Sequence, residues 1–119
     1  MLPEPQPRPL QNRAPRYEVH IPLEFLADGK IVRGRCINLS ESGVLAWFEQ
    51  PLELWISGEL RLHSGRHSCK VRARVSRVIE REAGLSFRLG DDLTERSLSF
   101  IRALLEEVRN SGATFTPPY

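Results

Sequence analysis

Apolar and polar residues alternate along much of the chain, the mark of strands with one buried face. In Tyr17–Phe25 the apolar Tyr17, Val19, Ile21, Leu23 and Phe25 interleave with Glu18, His20, Pro22 and Glu24. Proline has no N–H to give to a ladder, so Pro22 predicts an edge or a bulge in this strand. Asp28-Gly29 is a hairpin signal, and a second strand follows it to about Ile37. Asn38–Gly43 reads as a polar loop and Val44–Phe48 as a short apolar strand. After Pro51, Gly58–Leu62 is another strand, ended by Ser64-Gly65. Ser68–Ile79 is the longest, with Val71, Ala73 and Val75 inward and Lys70, Arg72 and Arg74 outward. Ala83-Gly84 predicts the turn into a last strand, Leu85–Leu89.

Six short strands at hairpin spacing predict an all-β fold with a terminal helix, the sheet antiparallel and closed or nearly closed into a barrel. The period becomes helical after Asp92, a plausible N-cap with Glu95 three residues on. A helix over about 93–109 puts Leu98, Ile101, Leu105 and Val108 on one face, and Asn110-Ser111-Gly112 ends it. That face must cover an open end or side of the barrel. Residues 1–15 hold five of the nine prolines and almost no apolar periodicity, so residues 1–11 are expected to be a disordered arm. Residues 111–119 are expected to be a disordered tail.

A length of 119 residues suits one domain. No apolar run approaches the roughly 18 residues that would cross a bilayer, and the N-terminus lacks the apolar stretch of a secretory signal. The expectation is a cytoplasmic protein without membrane insertion. The two cysteines, Cys36 and Cys69, lack metal-type spacing and read as small core residues. The net charge of +2 is too small for a non-specific nucleic-acid binder. Residues 1–16 carry three arginines against one glutamate, which leaves the body balanced with fourteen charges of each sign. An oligonucleotide-binding barrel using Lys70, Arg72 and Arg74 is therefore a weaker reading than a solvated strand face, and neither DNA nor RNA is an expected partner.

Catalytic chemistry is not expected. Of the three histidines, His20 lies on the polar side of a strand, and His63 and His67 flank a turn. Ser42-Gly43 follows polar residues rather than the buried strand end of a nucleophile elbow. No glycine-rich phosphate loop is present.

Two motifs point instead to binding. In Asn38-Leu39-Ser40-Glu41-Ser42-Gly43, the Asn and Ser side chains suit local capping or a ligand, and glycine allows positive φ or a close backbone approach. In Asn12-Arg13-Ala14-Pro15-Arg16, arginine forks suit guanine edges and phosphates. Together, arginines opening the first strand and N-x-S-x-x-G after the second, in a six-stranded barrel with a terminal helix, resemble the PilZ domain family. The resemblance covers roughly residues 12–108, including Gly84-Leu85-Ser86-Phe87 in the last strand, and places the domain at 12–110.

The resemblance implies a bacterial receptor for cyclic di-GMP with no cofactor. It carries over Asn38, Ser40 and Gly43 from the loop and Arg16 from the second position of the arm. The first arm position falls on Asn12, where the family has arginine, and Arg13 stands beside it. The ligand-binding set expected is thus Asn12, Arg13, Arg16, Asn38, Ser40 and Gly43, with ligand ordering the arm and altering contacts with a protein partner. The alternative is a PilZ-like interaction module that does not bind the nucleotide. In either case the chain is expected to be a monomer or weak dimer.

Overall fold

The strands of the computed structural model follow the alternation closely; it describes residues 16–65, 67–88, 92–110 and 115–116. In chain order these form β1 (Arg16–Glu18), β2 (Pro22–Ala27), β3 (Lys30–Leu39), β4 (Gly43–Phe48), β5 (Ser57–Ser64), β6 (His67–Ile79), β7 (Glu82–Phe87), α1 (Asp92–Asn110) and β8 (Phe115–Thr116). Six antiparallel strands run in the order β2-β5-β6-β7-β4-β3, and pairing of β2 with β3 closes them into a barrel. β1 and β8 extend the sheet past the second half of β3.

The barrel interior holds the inward residues of the alternating pattern. Leu23 and Phe25 of β2, Phe48 of β4, Leu60 and Leu62 of β5, and Val71, Ala73 and Val75 of β6 are all essentially solvent-free. Burying each large side chain contributes about 1.5–3 kcal/mol, which is what holds so small a barrel closed. Cys36 and Cys69 join this core as free thiols.

The Tyr17–Phe25 strand is divided in two, at the proline that signalled an irregularity. Glu18 pairs with Asn38 and Pro22 with Arg35. Three residues, 19–21, therefore face two, 36–37, and the extra residue breaks the regular ladder. The chain stays stitched to β3 across the step: the Cys36 N–H donates to the Ile21 carbonyl at 2.8 Å. Pro22 opens β2, where its missing N–H is least costly.

The Asp28-Gly29 hairpin forms as expected, with φ of 52° and 75° at the two positions, the left-handed pair that a two-residue turn requires. The expected turn at Ala83-Gly84 is displaced. Ile79 pairs with Glu82, so the turn is Glu80-Arg81, with Glu80 at φ 56°. Ala83 is instead a buried strand residue and Gly84 lies in the middle of β7.

α1 lies against β6 and beside β1. Leu98, Ile101 and Leu105 are buried and Val108 is half-buried, as the helical period requires, and Leu104 joins them. Two hydroxyls sharing this face complete the docking. β7 pairs with β6 from Ala73 onward, and just beyond it the Arg88 N–H still reaches the Arg72 carbonyl at 2.9 Å, but the Arg72 N–H and the Lys70 carbonyl meet the helix instead. The Arg72 N–H donates to Thr94 Oγ1 at 3.1 Å, and Ser97 Oγ donates to the Lys70 carbonyl. Both hydroxyls are buried, so the helix supplies the partners that a neighbouring strand would otherwise have given. Phe115–Thr116, inside the C-terminal segment expected to be disordered, run antiparallel to β1. The arm at 1–11 lies outside the described residues.

Candidate ligand-binding site

The polar loop between β3 and β4 is built around one buried hydroxyl. Ser40 Oγ accepts the N–H of Ser42 at 3.1 Å and that of Gly43 at 3.2 Å, while the Ser40 N–H donates to the Gly43 carbonyl at 2.9 Å. The Phe87 N–H donates to the Ser42 carbonyl at 2.9 Å and fastens the loop to the end of β7. A side chain at Gly43 would put its Cβ 2.4 Å from the Leu85 carbonyl oxygen. Glycine is demanded there by the close approach of β4 to β7. At the loop's outer side Glu41 Oε1 accepts from Arg102 Nε of α1 at 3.1 Å.

Four strands present one continuous row beside this loop. Asn38 of β3 pairs with Leu45 of β4, Leu45 with Gly84 of β7, and Gly84 with Arg77 of β6. Each end of the row stands directly after a β-bulge. The β3 register shifts between Cys36 and Asn38, and the β6 register shifts between Val75 and Arg77. In β6 this leaves Ser76 and Arg77 both exposed, although strict alternation after Val75 would turn Arg77 toward the core. Ser76 Oγ donates to the Gly84 carbonyl at 3.2 Å, and Ser86 Oγ lies 3.3 Å from Ser76 Oγ.

These groups line a cleft of about 300 Å³ on the outer wall of the barrel, at the lower end of the roughly 300–1,000 Å³ typical of small-molecule sites. Arg16 enters from β1, Asn38, Ser40, Ser42 and Gly43 from the loop side, and Arg77, Gly84 and Ser86 from the opposite wall. The structure thus brings together four of the expected residues: Arg16, Asn38, Ser40 and Gly43. Asn12 and Arg13 lie outside the described residues. Ser40 caps the loop through its hydroxyl, one of the two roles that the sequence left open for it. Sequence reasoning missed Arg77, Ser76, Ser86 and Gly84. The bulge hides Arg77 from a period-two reading, which already places Ser76 outward, and Gly84 reads as a turn.

Guanidinium groups at two sides, a carboxamide and hydroxyls suit an anionic ligand with hydrogen-bonding edges. Among the described residues no cluster of His, Cys, Asp or Glu could hold a metal ion. Burial pushes the thiol pKa up to about 12 for Cys36 and to about 11 for Cys69, the latter eased by a backbone hydrogen bond from Leu62. Both thiols stay protonated at neutral pH, and neither lines the cleft. Among the described residues no helix is long and apolar enough to cross a membrane.

The fold is thus a closed barrel carrying an arginine-flanked cleft on its outer wall, with a helix docked against β6. The family model for the PilZ domain matches residues 10–107, and the chain belongs to the PilZ domain family. It is a family of cyclic di-GMP receptors, binding and adaptor modules rather than enzymes. Among solved structures, the crystal structure of the PilZ domain of CeSA from a cellulose synthesizing bacterium is similar to this fold. It superposes with a TM-score of 0.64 at 20% identity, over 76% of this chain and 97% of that one. No curated protein matches the chain.

Proposed function

We propose that this chain is a cytoplasmic receptor for cyclic di-GMP and binds it in the cleft between the Asn38–Gly43 loop and β6. The observation that carries the reading is that Arg16, from the arm motif, and Asn38, Ser40 and Gly43, from the loop motif, line one cleft although the two motifs lie on different elements. Arg16 supplies a charge-assisted contact to a phosphate or guanine, and Asn38 supplies a directional amide. The loop, held by Ser40, sets the shape of that side. Asn12 and Arg13 precede Arg16 and close over the ligand, and the altered surface changes contact with a protein partner.

Titration calorimetry with cyclic di-GMP tests the reading. Binding at tens of micromolar or tighter, weakened at least tenfold by Arg16→Ala, is the expected result. A second reading, an interaction module that does without the nucleotide, is favoured by Asn12 standing where the family has arginine. Asn12→Arg separates the two. A receptor adapted to Asn12 changes little, whereas a lapsed site gains affinity. If neither the natural chain nor Asn12→Arg binds, the interaction module takes the receptor's place.

A further inference from the structure

We infer that Arg77 reads the edge of a guanine base lying flat over Leu45 and Gly84, and so acts as a specificity-determining residue. The inference rests on the receptor reading above and names a contact outside the two family motifs.

The bulge at Ser76 turns Arg77 out of the barrel and into the cleft. None of the ion pairs among the described residues uses it. Between Arg77 and Asn38 the floor consists of the Leu45 side chain and the bare backbone of Gly84. Three strand spacings of about 4.8 Å make a path of about 14 Å along the curved wall from Asn38 to Arg77, long enough to seat a flat ring system between two hydrogen-bonding side chains. A floor of one aliphatic side chain and one glycine leaves a face against which an aromatic plane can lie. The guanidinium at its edge offers two parallel donors, which match O6 and N7 of guanine. Adenine presents an amino donor where guanine has O6, so the same fork disfavours it.

Gly84 gives the inference an independent handle. A Cβ at Gly84 would meet nothing nearer than Arg77 Cβ at 3.6 Å, so the fold itself leaves space for a side chain there. A base on the floor does not.

The test uses the full chain and calorimetric titration with cyclic di-GMP and cyclic di-AMP. The natural protein should bind the guanine compound and prefer it over the adenine one. Arg77→Ala should weaken cyclic di-GMP binding by about tenfold or more, narrow the preference, and leave the thermal midpoint unchanged. Arg77→Lys keeps the charge but lacks the fork, and should recover only a minor part of the affinity. Gly84→Val should fold as stably as the natural chain and lose binding. If the natural chain binds but Arg77→Ala binds equally well, or Arg77→Lys is indistinguishable from it, the inference falls and the receptor reading stands. Unimpaired binding by Gly84→Val has the same effect. If the natural chain binds neither nucleotide, both fall.

Discussion

Ser40 and Gly43 are joined twice across the loop that bounds the cleft: the Gly43 N–H donates to Ser40 Oγ at 3.2 Å, and the Ser40 N–H donates to the Gly43 carbonyl at 2.9 Å. With the Ser42 N–H also on the hydroxyl, one side chain replaces the backbone partners that a regular ladder would have provided. Ser40→Ala leaves two amides to find water. We expect a loss of about 1–3 kcal/mol in denaturant unfolding, and protection of the Ser42 and Gly43 amides should fall in hydrogen exchange. A loss below about 0.5 kcal/mol, with protection intact, would assign the serine to the ligand alone.

Gly43 answers a different constraint. The Leu85 carbonyl oxygen stands 2.4 Å from where a Cβ would lie, and backbone cannot swing aside as a flexible side chain does. Gly43→Ala must push β4 from β7 and disturb the Gly43–Ser86 pairing. Overpacking of this kind costs about 1–3 kcal/mol. Thermal unfolding should show the loss even without ligand, whereas a glycine required only for ligand approach would leave the free protein's midpoint where it was.

Helix docking depends on polar as well as apolar contacts. Thr94 is fully buried with its hydroxyl on the Arg72 amide, so Thr94→Val keeps the shape and removes the acceptor. The expected destabilisation is about 1–3 kcal/mol from the orphaned N–H. Ile101→Ala, at the fully buried centre of the same face, should cost about 2–5 kcal/mol. Chemical denaturation of the two variants checks both figures. Equal stability of Thr94→Val and the natural chain would mean that water or another group serves Arg72.

The buried thiols make stability sensitive to alkaline pH. Desolvation raises the Cys36 pKa from an ordinary 9.0 to about 12, so the folded chain holds this proton more tightly than the unfolded chain. That contribution is complete below about pH 9 and is lost as pH rises toward 12, where the unfolded state gains by ionising first. Cys36→Ala should therefore flatten the fall of unfolding free energy over this window. Parallel curves for the variant and the natural chain would contradict the assignment.

The barrel was legible because its core strands keep period two without interruption: Val71, Ala73 and Val75 are inward, as the alternation requires. The helix was legible for the same reason at period 3.6. Two departures from simple alternation, the first of them signalled by Pro22, arose where one residue shifts the phase. The extra residue at 19–21 divides the first strand, and the bulge at Ser76 sends Arg77 to the outer face. Gly84 misled because glycine commonly marks turns, while the actual turn forces Glu80 to φ 56°, at a residue type that carries no turn signal. Within the loop, the spacing of Asn38, Ser40 and Gly43 was readable but not the division of labour. Which hydroxyl faces inward depends on how the loop closes over itself.

The short seam of β1 and β8 links the two ends of the described chain. Arg16 pairs with Thr116 and Tyr17 with Phe115, so residues a hundred apart in sequence are neighbours at the rim of the cleft. β8 is two residues long, and β1 is three. A junction this brief is a weak latch beside the closed barrel, whose strands have neighbours on both sides. Through this seam the strand that carries Arg16 to the cleft is also the strand that holds Phe115–Thr116, so one short element joins the rim of the cleft to both ends of the described chain.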